Sequence, residues 1–206
     1  MKPVMLSLSV WMFLWVMGAP AWAASKEFVI NDTTGHNTVK FKSDAPLELI
    51  AGQTDKVTGK IIYDDDFKFD AKHPFTIVFN VDLASFDTGI PLRNQHMRDK
   101  FLETAKYPTA VYTVKQIQTT AKPPFKKGQE ISLISAGDFT LHGKTMAKTI
   151  PLTILYLGKT ATSETIRIQG NFPIQLSDYG IERPQLVFQK LAETVYVNIN
   201  AFGVHK

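Results

Sequence analysis

Residues 166–174 read Ile-Arg-Ile-Gln-Gly-Asn-Phe-Pro-Ile. Ile166, Ile168, Gly170, Phe172 and Ile174 alternate with Arg167, Gln169, Asn171 and Pro173. Side chains on a strand point to opposite faces in turn, so a period of two gives one face to bury and one face for water. The same habit recurs on both sides of this stretch. Val195, Val197, Ile199 and Ala201 alternate downstream, and Ile150, Leu152, Ile154 and Tyr156 upstream. Further upstream stand Ile131, Leu133, Gly137, Phe139 and Leu141, then Phe75, Ile77, Phe79, Val81 and Leu83. Shorter segments at 39–41, 57–63 and 110–114 continue the pattern.

This makes about eight strands by the alternation rule. Asp55 with Gly59, Lys72-His73-Pro74, Pro123-Pro124, Gly128 and Gly158 supply turn chemistry between several of them. Strands of a covered parallel sheet are apolar on both faces, so one-faced strands predict antiparallel pairing. Closing the sheet buries every apolar face and removes free edges. The predicted fold is all-β, an antiparallel barrel of about eight strands, with a sandwich as the alternative. One stretch departs from the pattern. Residues 89–102, GIPLRNQHMRDKFL, lack alternation and place Leu92, His96 and Lys100 at i, i+4 spacing. They read as a short inserted helix with Pro91 in its tolerant first turn.

The first 23 residues stand apart. Lys2 precedes an apolar run over 4–17, then Gly18, Pro20 and the triplet Ala21-Trp22-Ala23. That order is a secretory signal peptide cleaved after Ala23, leaving a single domain over 24–206. The alternative is an uncleaved anchor, although the run is shorter than the roughly 20 residues that a spanning helix needs. The expected location is periplasmic or secreted. All three tryptophans fall in the leader, and the chain contains no cysteine. Thiol catalysis, thiolate metal sites and disulfides are thereby excluded. The formal net charge of +4 comes from dispersed lysines without a basic run, which argues against nucleic acid as a partner.

Residues 83–112, LASFDTGIPLRNQHMRDKFLETAKYPTAVY, resemble the signature of the YceI-like family. The resemblance rests on Ser85, Asp87, Thr88, Gly89, Arg93, His96, Met97, Arg98, Phe101, Leu102, Tyr107 and Pro108. Two later blocks agree: 137–145, GDFTLHGKT, in which Phe139 replaces the usual Leu, and Phe172 through Ser177-Asp178-Tyr179-Gly180-Ile181. The resemblance covers nearly all of the chain after residue 23. It implies an exported, lipocalin-like barrel enclosing a long isoprenoid or comparable lipid tail, and lipid binding in place of enzymatic activity. The Gly-x-Trp motif of true lipocalins is absent, so that likeness is architectural.

On this reading Phe79, Val81, Tyr112, Phe139, Leu152, Ile154, Ile168 and Phe172 line an elongated cavity, with Met97 beside it on the inserted helix. A barrel of this size holds either packed side chains or one small ligand. Gly137 and Gly170, both inward, either bend their strands or leave room. Arg93 and His96 share a helix face and, with Arg98 nearby, could meet a polar head group at the mouth; a purely structural role is the alternative. No catalytic residue is assigned, since Ser85, Asp87 and His96 form no nucleophile elbow. No metal or other cofactor is expected: the remaining histidines stand singly, and Asp64-Asp65-Asp66 lacks the Gly and distal Glu of a calcium loop. The expected function is an exported carrier or sequestering protein for a polyisoprenoid, isoprenoid quinone or fatty-acid-like lipid. An enzyme acting on a bound lipid or quinone, and an interaction module with a filled core, are the alternatives. The expected partners are the lipid and a transient membrane contact, with the oligomeric state, a homodimer included, left open.

Overall fold

The computed structural model describes residues 25–32, 35–44, 49–64, 67–182 and 192–206. The leader at 1–23 lies outside these residues, as do Asp65 and Asp66. Ten strands form among the described residues: β1 (Ser25–Ile30), β2 (Thr38–Asp44), β3 (Leu49–Thr54), β4 (Val57–Asp64), β5 (Thr76–Asp82), β6 (Thr109–Gln118), β7 (Glu130–Leu141), β8 (Lys144–Lys159), β9 (Glu164–Gln175) and β10 (Thr194–His205). Eight of them close an antiparallel ring in the order β1-β4-β5-β6-β7-β8-β9-β10, and β10 returns to β1 through Val29 and Val204.

β2 and β3 form a hairpin on the same edge of β10, where Tyr196 to Asn200 pair with Lys42 to Thr38. β1 and β2 therefore serve as the two halves of one interrupted strand. Asn37 sits in the interruption and is 0% exposed. Its Oδ1 accepts from the Phe202 amide at 2.8 Å, and its Nδ2 donates to the Val57 carbonyl at 3.4 Å. A buried amide at the seam thus has a partner although the ladder is broken there.

β1 and β3 are strands that alternation did not announce. β3 turns Ile50, Gly52 and Thr54 inward, a set with only one bulky apolar member. β1 buries only Phe28 and Ile30. Two expected turn glycines lie inside strands. Gly59 belongs to β4, and Gly158 takes φ +108° at the register shift after Tyr156 in β8, a bulge position open to glycine.

Between β5 and β6 the chain leaves the wall as the helix α1 (Pro91–His96), which continues as a single π-helical turn, Met97–Phe101. Pro91 stands in the first turn, where its missing N–H is no loss. Because α1 joins the end of β5 to the start of β6, it marks one end of the barrel.

Replacing Asn37 with Ala is expected to leave both seam groups without their partner and to lower stability by about 1–3 kcal/mol, the usual cost of a buried polar group left unpaired. Urea unfolding of the two proteins measures this, and an unchanged midpoint at equal slope would show that the seam is held by other contacts.

Candidate binding cavity

The bore divides into two halves of different character. At the end away from α1 it is filled. The segments before β5 and before β7 send Phe67, Phe69, Phe75 and Phe125 inward against Tyr63 and Tyr156. Phe67 contacts Tyr63, Phe69 and Phe125 edge-on with ring centroids 5.3, 4.8 and 4.9 Å apart. Phe67 holds φ 55°, an unfavourable backbone for an aromatic residue, and these ring contacts keep it there. The pocket left among these side chains has a volume of about 40 Å³.

The half beside α1 is hollow, with a cavity of about 890 Å³. This falls near the top of the roughly 300–1,000 Å³ typical of small-molecule sites. Its wall is almost wholly apolar, built by the ends of the strands nearest the helix: Val81, Ala110, Phe139, Leu141, Ile174 and Val197 among others. The ladder between β8 and β9 stops here, since the two pair only from Leu152 to Lys159. Pro151 and Pro173 stand where pairing would otherwise continue, and proline cannot donate to a ladder. The turn Ser177–Tyr179 covers the parting, and buried Tyr179 meets Phe139 edge-on at 5.7 Å.

Tyr112 lies at the floor between the halves. Its hydroxyl is 3.1 Å from Ser135 Oγ and 3.3 Å from the Lys148 carbonyl, and Ser135 donates to the Ile150 carbonyl at 2.8 Å. Both carbonyls belong to the stretch of β8 that β9 does not pair. Burial pushes the Tyr112 phenol above its ordinary pKa, partly offset by the Ser135 contact. The two inward glycines do not provide ligand space. A Cβ on Gly137 would lie 2.1 Å from the Thr113 carbonyl oxygen, beside the β6 bulge, and one on Gly170 would lie 2.7 Å from Leu152 Cδ2.

The mouth is fastened by a hydrogen-bonded knot. Asp87 exchanges two backbone bonds with Gln53 of β3, both 2.9 Å. Asn94 Oδ1 accepts from the Thr88 amide and hydroxyl, while its Nδ2 donates to Asp87 Oδ1 at 2.7 Å. Arg93 donates from Nε to Thr88 Oγ1 at 3.0 Å and from Nη2 to the Thr88 carbonyl at 2.9 Å. Bonds from the Gly89 amide and Asn94 hold the Asp87 carboxyl below its ordinary 3.8. A depressed carboxylate contributes fully above that value, so this part of the knot is complete at neutral pH and fails only as pH falls through the lower folded value. Ser85 donates to the Asp82 carbonyl and contacts Thr54 Oγ1, so its hydroxyl serves the same turn.

Phe79, Val81, Arg93, His96, Met97, Tyr112, Phe139 and Phe172 all border the hollow half. Leu152, Ile154 and Ile168 point inward but line the filled half. Phe79 faces both. Arg98 is half-buried and does not border the cavity. Sequence reasoning passed over Lys100 and the rim residues Ile90 and Leu92, which do. Their signal was present, since Leu92, His96 and Lys100 share the helical spacing that identified the insert. Among the described residues the side chains of His96 and Lys100 have no hydrogen-bond or ion-pair partner. No group of three or more His, Asp or Glu among the described residues is placed to hold a metal ion.

An antiparallel barrel with one hollow, apolar half beside an inserted helix is the class of protein that this geometry defines. The chain belongs to the YceI-like domain family, whose model matches residues 31–202. It is 31% identical over 189 residues to a UPF0312 protein of Pseudomonas savastanoi pv. phaseolicola, covering 89% of each chain. Among solved structures it resembles a polyisoprenoid binding domain from Saccharophagus degradans, with TM-score 0.66 and 22% identity over 89% of this chain and 100% of that one. It also resembles Burkholderia cenocepacia BcnA, with TM-score 0.57 and 20% identity over 81% of this chain and 95% of that one. At these identities the two structures establish a shared barrel fold.

Removing the Arg93 side chain should loosen the mouth without unfolding the barrel. At least two hydrogen bonds are lost, and at about 1 kcal/mol each they correspond to a rise of tenfold or more in local opening. In Arg93→Ala, amide exchange across residues 87–102 should quicken by at least that factor, while exchange in β7 and β8 stays as in the parent. Equal exchange at the mouth would show that Arg93 does not fasten it.

Proposed function

We propose that the chain is a carrier for a long apolar lipid, held in the hollow half of the barrel, and that it works outside the cytoplasm after loss of its first 23 residues. The observation that carries this reading is the 890 Å³ apolar cavity, open beside α1 and stopped at the far end by aromatic side chains. The polyisoprenoid binding domain of Saccharophagus degradans, which shares the fold, points to the same ligand class. A tail buried by apolar contact needs no directional partner, because that contribution scales with area. Its polar head lies at the mouth, where His96 and Lys100 are uncommitted. Arg93 contributes to the head-group end mainly by holding the turn. The reading takes the protein as a carrier and not an enzyme, in keeping with Ser85 and Asp87 being engaged in turn structure.

Native mass spectrometry of the purified protein should show a lipid adduct that organic extraction removes. Val81→Phe places bulk in the hollow half and should cut the adduct tenfold or more in a folded protein. Ile154→Phe puts similar bulk into the filled half and should instead cost about 1–3 kcal/mol of stability, as overpacking does. Lys100→Ala should weaken binding of an anionic-headed amphiphile by about tenfold and leave a headless hydrocarbon unaffected, since a bond to a charged group contributes roughly 1.5–3 kcal/mol. A folded parent that carries no lipid and takes none up from vesicles would end the carrier reading.

Export is tested separately. The protein recovered from its native cells should begin at or near Ala24. Recovery of intact Met1 in a membrane pellet would replace cleavage with an uncleaved anchor.

A further inference from the structure

At the start of α1 the rim of the cavity carries apolar side chains that are also exposed to solvent. Ile90 and Leu92 are 46% and 61% exposed, yet both border the cavity. They flank Pro91 at the start of α1, so apolar side chains reach from the cavity lining to its exposed lip. Isolated exposed apolar residues are ordinary, but two at the lip of an apolar chamber form one continuous surface. The charge around them leans positive. Residues 87–106 contain Arg93, Arg98, Lys100 and Lys106 against Asp87, Asp99 and Glu103. Glu103 is further engaged by His142 Nε2 at 3.0 Å. A short segment with apolar side chains at one end and excess cations beside them matches the chemistry of an interfacial element on anionic lipid.

We infer that this rim docks on an anionic lipid bilayer, with Ile90 and Leu92 entering the head-group boundary and Arg98, Lys100 and Lys106 facing lipid phosphates. The cavity then opens directly onto the acyl phase, and an apolar ligand passes between membrane and barrel without crossing water. The knot at Asp87, Thr88, Arg93 and Asn94 fixes the rim against β3, so the docking face is a rigid part of the barrel mouth. Ligand passage rests on the carrier reading above; docking itself does not.

The test is co-sedimentation of the chain from residue 24 onward with vesicles of phosphatidylcholine, with and without phosphatidylglycerol. Expected results are binding to the anionic vesicles, weakening as salt is raised, and at least a tenfold loss in the Ile90→Ser, Leu92→Ser double variant. Arg98→Glu, whose side chain lies outside the cavity lining, should also bind vesicles more weakly while native mass spectrometry finds the same ligand mass as in the parent. A parent that carries lipid but does not sediment overturns docking and leaves the carrier reading in place. A parent that sediments through the rim but carries no lipid supports docking and overturns the carrier reading. A double variant that sediments like the parent overturns docking. So does a parent that sediments as a dimer which the double variant dissociates, since the rim is then a self-interface.

Discussion

The bore of an eight-stranded barrel must be occupied, because a ring of this size has an interior that side chains or one small ligand will fill. Here the side chains suffice for only one half. Four phenylalanines enter from the segments before β5 and β7 and close the end away from α1. At the other end the same inward alternation continues, but Phe86 and Phe101 of the β5–β6 connection border the chamber without filling it, and β8 and β9 part above Leu152 and Gly170. The hollow half thus tracks where the aromatic residues of the connections pack against one another, and where Pro151 and Pro173 interrupt a ladder.

An apolar chamber open to water is poorly solvated, so its rim must be held by groups that do not depend on the chamber being full. The structure meets this with polar side chains spent on backbone. Asn94, Thr88 and Arg93 are directed at the turn that begins α1, and Tyr112 and Ser135 at the part of β8 that β9 does not pair. Asn37 does the same at the seam between β1 and β2. Each closes a place where the strand ladder fails, and each is a specific interaction whose loss leaves a backbone group without a partner.

Period-two alternation gave one-faced antiparallel strands and left a sandwich as the alternative to a barrel, the family resemblance of residues 83–112 pointed to the barrel, and the break in the pattern at residues 89–102 gave the helix. β3 escaped because two of its three inward residues are Gly52 and Thr54, so its burial comes from the neighbours that cover it and not from its own hydrophobicity. Within the interior, alternation tells inward from outward but says nothing of height along the barrel. Ile154 and Ile168 look the same as Phe139 and Phe172 by parity, yet they lie at opposite ends. The insert supplies the missing coordinate. Since it joins the end of β5 to the start of β6, the mouth lies at the ends of β5, β7 and β9 and the starts of β6, β8 and β10. Ile154, past the middle of β8, and Ile168, early in β9, then fall to the far end by topology. The role of Arg93 was not legible in the same way, because its spacing from His96 is shared by a ligand contact and a turn clamp, and only the distances to Thr88 separate the two.

The cations of the α1 segment divide accordingly. Arg93, with a planar fork of donors, is suited to bridging a hydroxyl and a carbonyl, and it does so at Thr88. Lys100 is a flexible point charge that the described frame leaves unclaimed, one turn beyond His96, which is likewise unclaimed. A guanidinium committed to the wall cannot also follow ligands of different head-group size, whereas an ammonium on a four-carbon stem can adjust to them at little cost to the barrel. On the carrier reading proposed above, the cavity selects for an apolar tail by area and shape, and only loosely for what the tail carries at its end.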